Sequence, residues 1–170
     1  MSSTETGEDD FESPEYDGDS VTGIVFDGLI GAVSGAVGTA AMTVVLLVGA
    51  TLGGFDVESF VTVVELIGLD AVVSGYAVAV GYLLFLTGGT VMWPLLFVSL
   101  GRYLPGGTWA RRGTVFGAVL WTGFVLAFYT GYAGAALAAY VAVTLAGHLI
   151  YGFCLGAVFD YLGGREEPLV

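Results

Sequence analysis

Polar and apolar positions fall into long blocks along this chain. Residues 28–55 carry no formal charge, and neither do residues 71–101. Residues 113–159 hold His148 as their one candidate for a charge. A helix that crosses the hydrocarbon core of a bilayer needs roughly 20 apolar residues, so each of the first two blocks accommodates one. The third block, drawn as one helix at about 1.5 Å per residue, would be about 70 Å long, over twice the core. It must fold back once. The stretch from Tyr129 through Gly131 and Tyr132 to Gly134 supplies the turn, and its tyrosines suit the interface. The runs do not alternate with period two, which argues against barrel strands. The pattern predicts an all-α fold, a bundle of four transmembrane helices spanning about 28–52, 75–100, 113–130 and 134–160.

Two connecting segments have patterns of their own. In residues 55–70, Glu58, Thr62 and Glu65 share one side, while Phe60, Val63, Val64 and Ile67 share the other. That is helical periodicity, too short and too acidic to cross. It predicts a short amphipathic helix between spans one and two, lying on the outer surface with its apolar side in the interface. Asp56 or Ser59 is placed to cap its start and Gly68 to end it. Residues 101–112 contain the turn Pro105-Gly106. Tyr103 and Trp109 are expected there as interfacial anchors, and the arginines are expected to reach lipid phosphates. Pro94, inside span two, removes one helical hydrogen bond and predicts a kink near Thr90.

Charge orients the bundle. Sixteen acids face four bases, for a formal net charge of -12. Arg102, Arg111 and Arg112 lie between spans two and three, and Arg165 follows span four. In a four-span protein both places share the side of the N-terminus, and the positive-inside rule makes that side cytoplasmic. Asp56, Glu58, Glu65 and Asp70 then face outward. Residues 1–20 carry eight of the acids with few apolar groups and are expected as a disordered acidic tail, leaving 21–170 as the transmembrane domain.

The same composition excludes several classes. Only 12% of residues are charged, about half the share in a soluble domain. Four arginines without lysine make no nucleic-acid footprint. Cys154, the single cysteine, permits neither a disulfide scaffold nor a cysteine zinc site. The acids Glu5, Glu8, Asp9 and Asp10 stand where a signal peptide has its basic region.

Lipid tails are as apolar as leucine, so helices associate in a membrane by close approach through small residues. Gly31, Gly35 and Gly38 in span one, Gly113 and Gly117 in span three, and Gly152 and Gly156 in span four are expected to form the seam. The segment Gly31–Val37 also echoes Gly113–Val119 at five of seven positions. A duplicated helix hairpin, related by an axis along the membrane normal, would produce this.

Two ionisable residues fall within or at the end of span four. His148, Gly152, Gly156 and Asp160 are spaced by four and share a face. His148 is a candidate functional residue because ionisable groups at membrane depth are expensive. Its structural alternative is a neutral ring bonded across the bundle to Thr, Ser or Tyr. Asp160 is expected to pair with Arg102, Arg111 or Arg112, or to face headgroups. About 18 Å separates the two along the helix, with no relay residue between. No GxSxG, HExxH or P-loop pattern occurs, one histidine excludes a bis-histidine haem within the chain, and no catalytic, cofactor or metal site is expected.

The set Gly31-x3-Gly35-x2-Gly38-Thr39-x2-Met42, the acidic 56–68 segment, Gly89-Thr90-x2-Trp93-Pro94, Leu104-Pro105-Gly106 with Arg112-Gly113-x3-Gly117-x3-Trp121, and His148-Leu-Ile-Tyr151-Gly152-x3-Gly156 resembles a family of uncharacterised four-span membrane proteins frequent in haloarchaea. The lysine-free acidic composition is of the same kind, since carboxylates hold hydration in concentrated salt. The resemblance implies a second histidine early in span two, where this chain has Tyr82–Phe85. The expected function is that of a non-enzymatic integral protein of the cytoplasmic membrane, with both termini cytoplasmic. The resemblance also allows an accessory subunit of a respiratory complex, and His148 allows a small transporter or channel. The expected partners are the lipid bilayer and a membrane protein or second copy, with no nucleic acid.

Overall fold

The computed structural model describes residues 18–163 apart from Ser74. Arg165 and the expected acidic tail up to Asp17 lie outside the described residues. The last three positions of that expected tail, 18–20, are already helical.

The described chain is helical, with no strand among the described residues. Helix α1 is Gly18–Thr51, α2 is Val61–Leu66, α3 is Asp70–Val73, and α4 is Ala77–Thr87. A π-helical turn, Gly88–Met92, joins α4 to α5, Trp93–Leu100. Helix α6 is Trp109–Ala127 and α7 is Gly134–Gly163. Three segments are long and apolar enough to cross a membrane: Val25–Thr51, Ala77–Tyr103 and Gly134–Leu162. Helix α6 is shorter and opens on Arg111 and Arg112.

Helix α7 is the centre of the bundle, with α1 packed along one side and α6 along the other. The α4–α5 arm packs against α1, and the arm and α6 come together chiefly at the turn Gly101–Tyr103. Glycines make these contacts possible. A methyl group at Gly113 would collide with the carbonyl oxygen of Gly152, one at Gly117 with that of His148, and one at Gly156 with that of Trp109. On the other side, a methyl at Gly38 would lie 2.8 Å from the carbonyl oxygen of Tyr151, and one at Gly35 would run into Pro94. Gly31 has ordinary contacts with Pro94 and Phe159. The echoed glycines Gly35 and Gly117 thus both face the helix that returns from their own.

The segment between α1 and α4 differs from the expected amphipathic helix. It is a 3-10 turn, Val57–Phe60, then the short α2, then the single turn α3. The Asp56 carboxylate caps its start by accepting the Glu58 N–H at 3.0 Å. Its apolar side is covered by protein: Phe60 and Val64 are buried, while Ile67 is exposed. Phe60 packs against Phe55, Tyr82, Phe85 and Phe128 with ring centroids 5.2–6.0 Å apart. Its backbone sits on Gly81, where a side chain would collide with the Phe60 carbonyl. Aromatic rings find better partners in these rings than in lipid tails.

Candidate functional site

The site begins at Pro94. In an α-helix its missing N–H would orphan the carbonyl four residues back, at Thr90. Here the preceding turn is π-helical, and the Trp93 N–H reaches back five residues to the Gly88 carbonyl. In that register the carbonyl that residue 94 would serve is Gly89. The Tyr151 hydroxyl, from α7, donates to the Gly89 oxygen at 2.9 Å. The expected kink is therefore a widened turn, with its orphan carbonyl one residue earlier and its missing donor replaced from another helix.

Away from the turn Gly101–Tyr103, the α4–α5 arm stands largely apart from α6. Between them lies a cavity of about 520 Å³, within the usual ~300–1,000 Å³ range of ligand sites. His148 and Tyr151 from α7, Thr39 from α1, Phe124 from α6 and Trp93 from α5 line it. Its rim includes the exposed Leu66, Met92 and Val119.

His148 is buried at 5% exposure. Its Nδ1 lies 2.8 Å from the Thr144 carbonyl oxygen one turn earlier on α7. A carbonyl only accepts, so Nδ1 carries the proton, and in a neutral ring Nε2 keeps its lone pair. This corrects the expected bond across the bundle: an acceptor one turn away on the same helix needs no register between helices. The ring also meets Phe124 edge-on, centroids 4.6 Å apart.

Asp160 also departs from expectation. Its two carboxylate oxygens accept the backbone N–H groups of Trp109 and Ala110, each at 2.9 Å. The carboxylate thus caps α6 from the end of α7, where helix N–H groups need acceptors. Arg112 instead bonds the Gly106 carbonyl at 3.0 Å and lies over the Trp109 ring. Trp109 turns inward against Phe97 and Phe159 and is half-buried in protein. His148 and Asp160 are not brought together.

The structure adds residues that motif reading did not single out for a site. Thr39 is 1% exposed, and its hydroxyl has no hydrogen-bond partner among the described residues. Trp121 Nε1 donates to the Thr144 hydroxyl at 3.1 Å, and that hydroxyl donates to the Tyr140 carbonyl at 2.7 Å. These ties fix the turn of α7 that carries His148. A polar residue at a span's inward face was the available signal for Thr39 and Thr144. A second, wider cavity of about 760 Å³ lies at the other end of the arm, near Glu58 and Tyr76. Its Tyr82 hydroxyl already donates to Thr43 at 3.3 Å.

Among the described residues, no three His, Cys, Asp or Glu side chains gather to hold a metal ion. Among the described residues that line the 520 Å³ cavity, His148 brings the strongest acceptor, Nε2, and none carries a formal charge. The chain matches the family of unknown function DUF6789 over residues 25–170. No curated protein and no solved structure matches it.

Proposed function

We infer, for a chain that belongs to this family of unknown function, a four-span integral protein of the cytoplasmic membrane that binds rather than catalyses. Three spans are long and apolar by themselves. The fourth is α6, and its length against α7 supports this. The two helices run antiparallel from the Asp160 bonds to Trp109 and Ala110 at one end to the Tyr140 hydroxyl on the Val125 carbonyl, 3.1 Å, at the other. Its 19 residues extend about 28 Å, close to the ~30 Å core. Arg111 and Arg112 stand at its start, so both termini are cytoplasmic by the positive-inside rule. The acidic, lysine-free composition fits a halophilic archaeal membrane.

The binding reading is supported by the 520 Å³ cavity, which is mostly apolar with a few convergent polar groups, as ligand sites are. A reporter inserted at Gly131, in the exposed loop between α6 and α7, tests the topology. It reads as external on this reading. A cytoplasmic signal at Gly131, with Gly107 also cytoplasmic, removes the fourth span.

A further inference from the structure

The cavity beside His148 is lined as a binding site for one chemical class. Helix α6 and the α4–α5 arm leave a gap between them, and on the four-span reading that gap faces lipid. This inference rests on that reading, because only a membrane makes the rim at Leu66, Met92 and Val119 an entrance for apolar molecules. The interior offers two acceptors without a matching donor. His148 Nε2 has no partner among the described residues, its other nitrogen being committed to Thr144. The Tyr151 hydroxyl spends its proton on Gly89, so its oxygen is left to accept. The Thr39 hydroxyl also has no partner among the described residues, but it is sealed against Gly89 and is not presented to a ligand.

A pure hydrocarbon would leave these groups unpaired, which is costly. An ionic ligand would meet no opposite charge. The ligand must bring a neutral hydrogen-bond donor on an apolar body, and a hydroxyl is the most compact one. Phe85, Trp93, Phe124 and Phe128 form the walls, and aromatic walls favour a flat ring. We propose that the cavity takes a membrane-soluble phenol or hydroquinone, whose hydroxyl donates to His148 Nε2 and whose ring lies among these aromatic side chains.

The full chain in phosphatidylcholine–phosphatidylglycerol nanodiscs tests this, with 2,3,5-trimethylphenol and its methyl ether as probes. The ether has the same ring and no donor. His148 is the only histidine, so one ¹⁵N imidazole signal reports on the site. The phenol should shift the Nε2 resonance saturably and bind about ten-fold or more tightly than the ether, the ratio that one such hydrogen bond supports. Gly123→Phe should abolish the shift, because Gly123 lines the cavity with open space at its Cβ and the variant keeps its helix. His148→Leu should equalise the two probes in calorimetry. An unmoved resonance, or equal affinity of the intact protein for both probes, overturns the proposal. Either result in protein whose Gly131 reporter is external leaves the four-span reading standing.

Discussion

The Tyr151 hydroxyl donates to the Gly89 carbonyl at 2.9 Å across 62 residues of sequence. Gly89 is the acceptor that Pro94, in a π-helical register, cannot serve. The bond therefore joins the arm to α7 at the point where the arm's own helix is short of a donor. Both Tyr151 and Gly89 line the cavity that His148 also lines.

Tyr151→Phe should leave that buried carbonyl unpaired and destabilise the bundle by about 1–3 kcal/mol. Pro94→Ala restores an N–H at position 94, which can reach the same oxygen. The two substitutions should therefore be non-additive, with the double variant about 1 kcal/mol more stable than the sum of the singles implies. Unfolding in sodium dodecyl sulfate, followed by circular dichroism, measures all three. Strict additivity would show that Tyr151 and Pro94 act on different groups.

The glycines of α6 divide by what faces them. Gly117→Ala would drive a methyl into the His148 carbonyl, a backbone atom that moves only if α6 and α7 separate. A loss of about 1–3 kcal/mol is expected from overpacking. Gly123→Ala meets open space and should be neutral or gain up to about 1 kcal/mol from helix propensity. The same detergent unfolding compares them, and equal effects would mean that close approach at Gly117 does not matter.

What could be read along the chain depended on how local each feature is. Block hydrophobicity is a property of consecutive residues, so the long apolar helices were legible. The periodicity of residues 55–70 correctly grouped Phe60 with Val64, but periodicity does not say whether lipid or protein covers a face. Pro94 announced a disturbance, yet the shift from Thr90 to Gly89 depends on a one-residue change of register. Asp160 could not be matched to Trp109 because that contact needs the α6–α7 register over 51 positions. The cavity was invisible for the same reason: it exists because α6 follows α7 and not the arm.

Phe60 shows how much the segment before α4 contributes. Phe60→Ala removes the ring that Phe55, Tyr82, Phe85 and Phe128 surround. The expected loss is about 3 kcal/mol, with new protease cleavage between α2 and α4 as the segment lifts off. Ile67→Ala, at an exposed position, should do neither. Cleavage unchanged in the Phe60 variant would mean that Gly81 and Val64 hold the segment without the ring.

Asp160 and Thr108 together satisfy the first N–H groups of α6. Asp160 takes those of Trp109 and Ala110, and the Thr108 hydroxyl takes that of Arg111 at 3.3 Å. Because each serves different donors, Asp160→Ala and Thr108→Ala should each cost about 1 kcal/mol and add in the double variant. Asp160→Asn keeps one acceptor oxygen and should fall between Ala and the parent. An ion pair with Arg111 or Arg112 would behave otherwise: Asn would match Ala, and 1 M salt would erase the effect in the parent. Thermal unfolding in detergent at low and high salt separates these outcomes, and the cap predicts that most of the Asp160→Ala loss persists in salt, because the acceptor lies in direct contact with its donors.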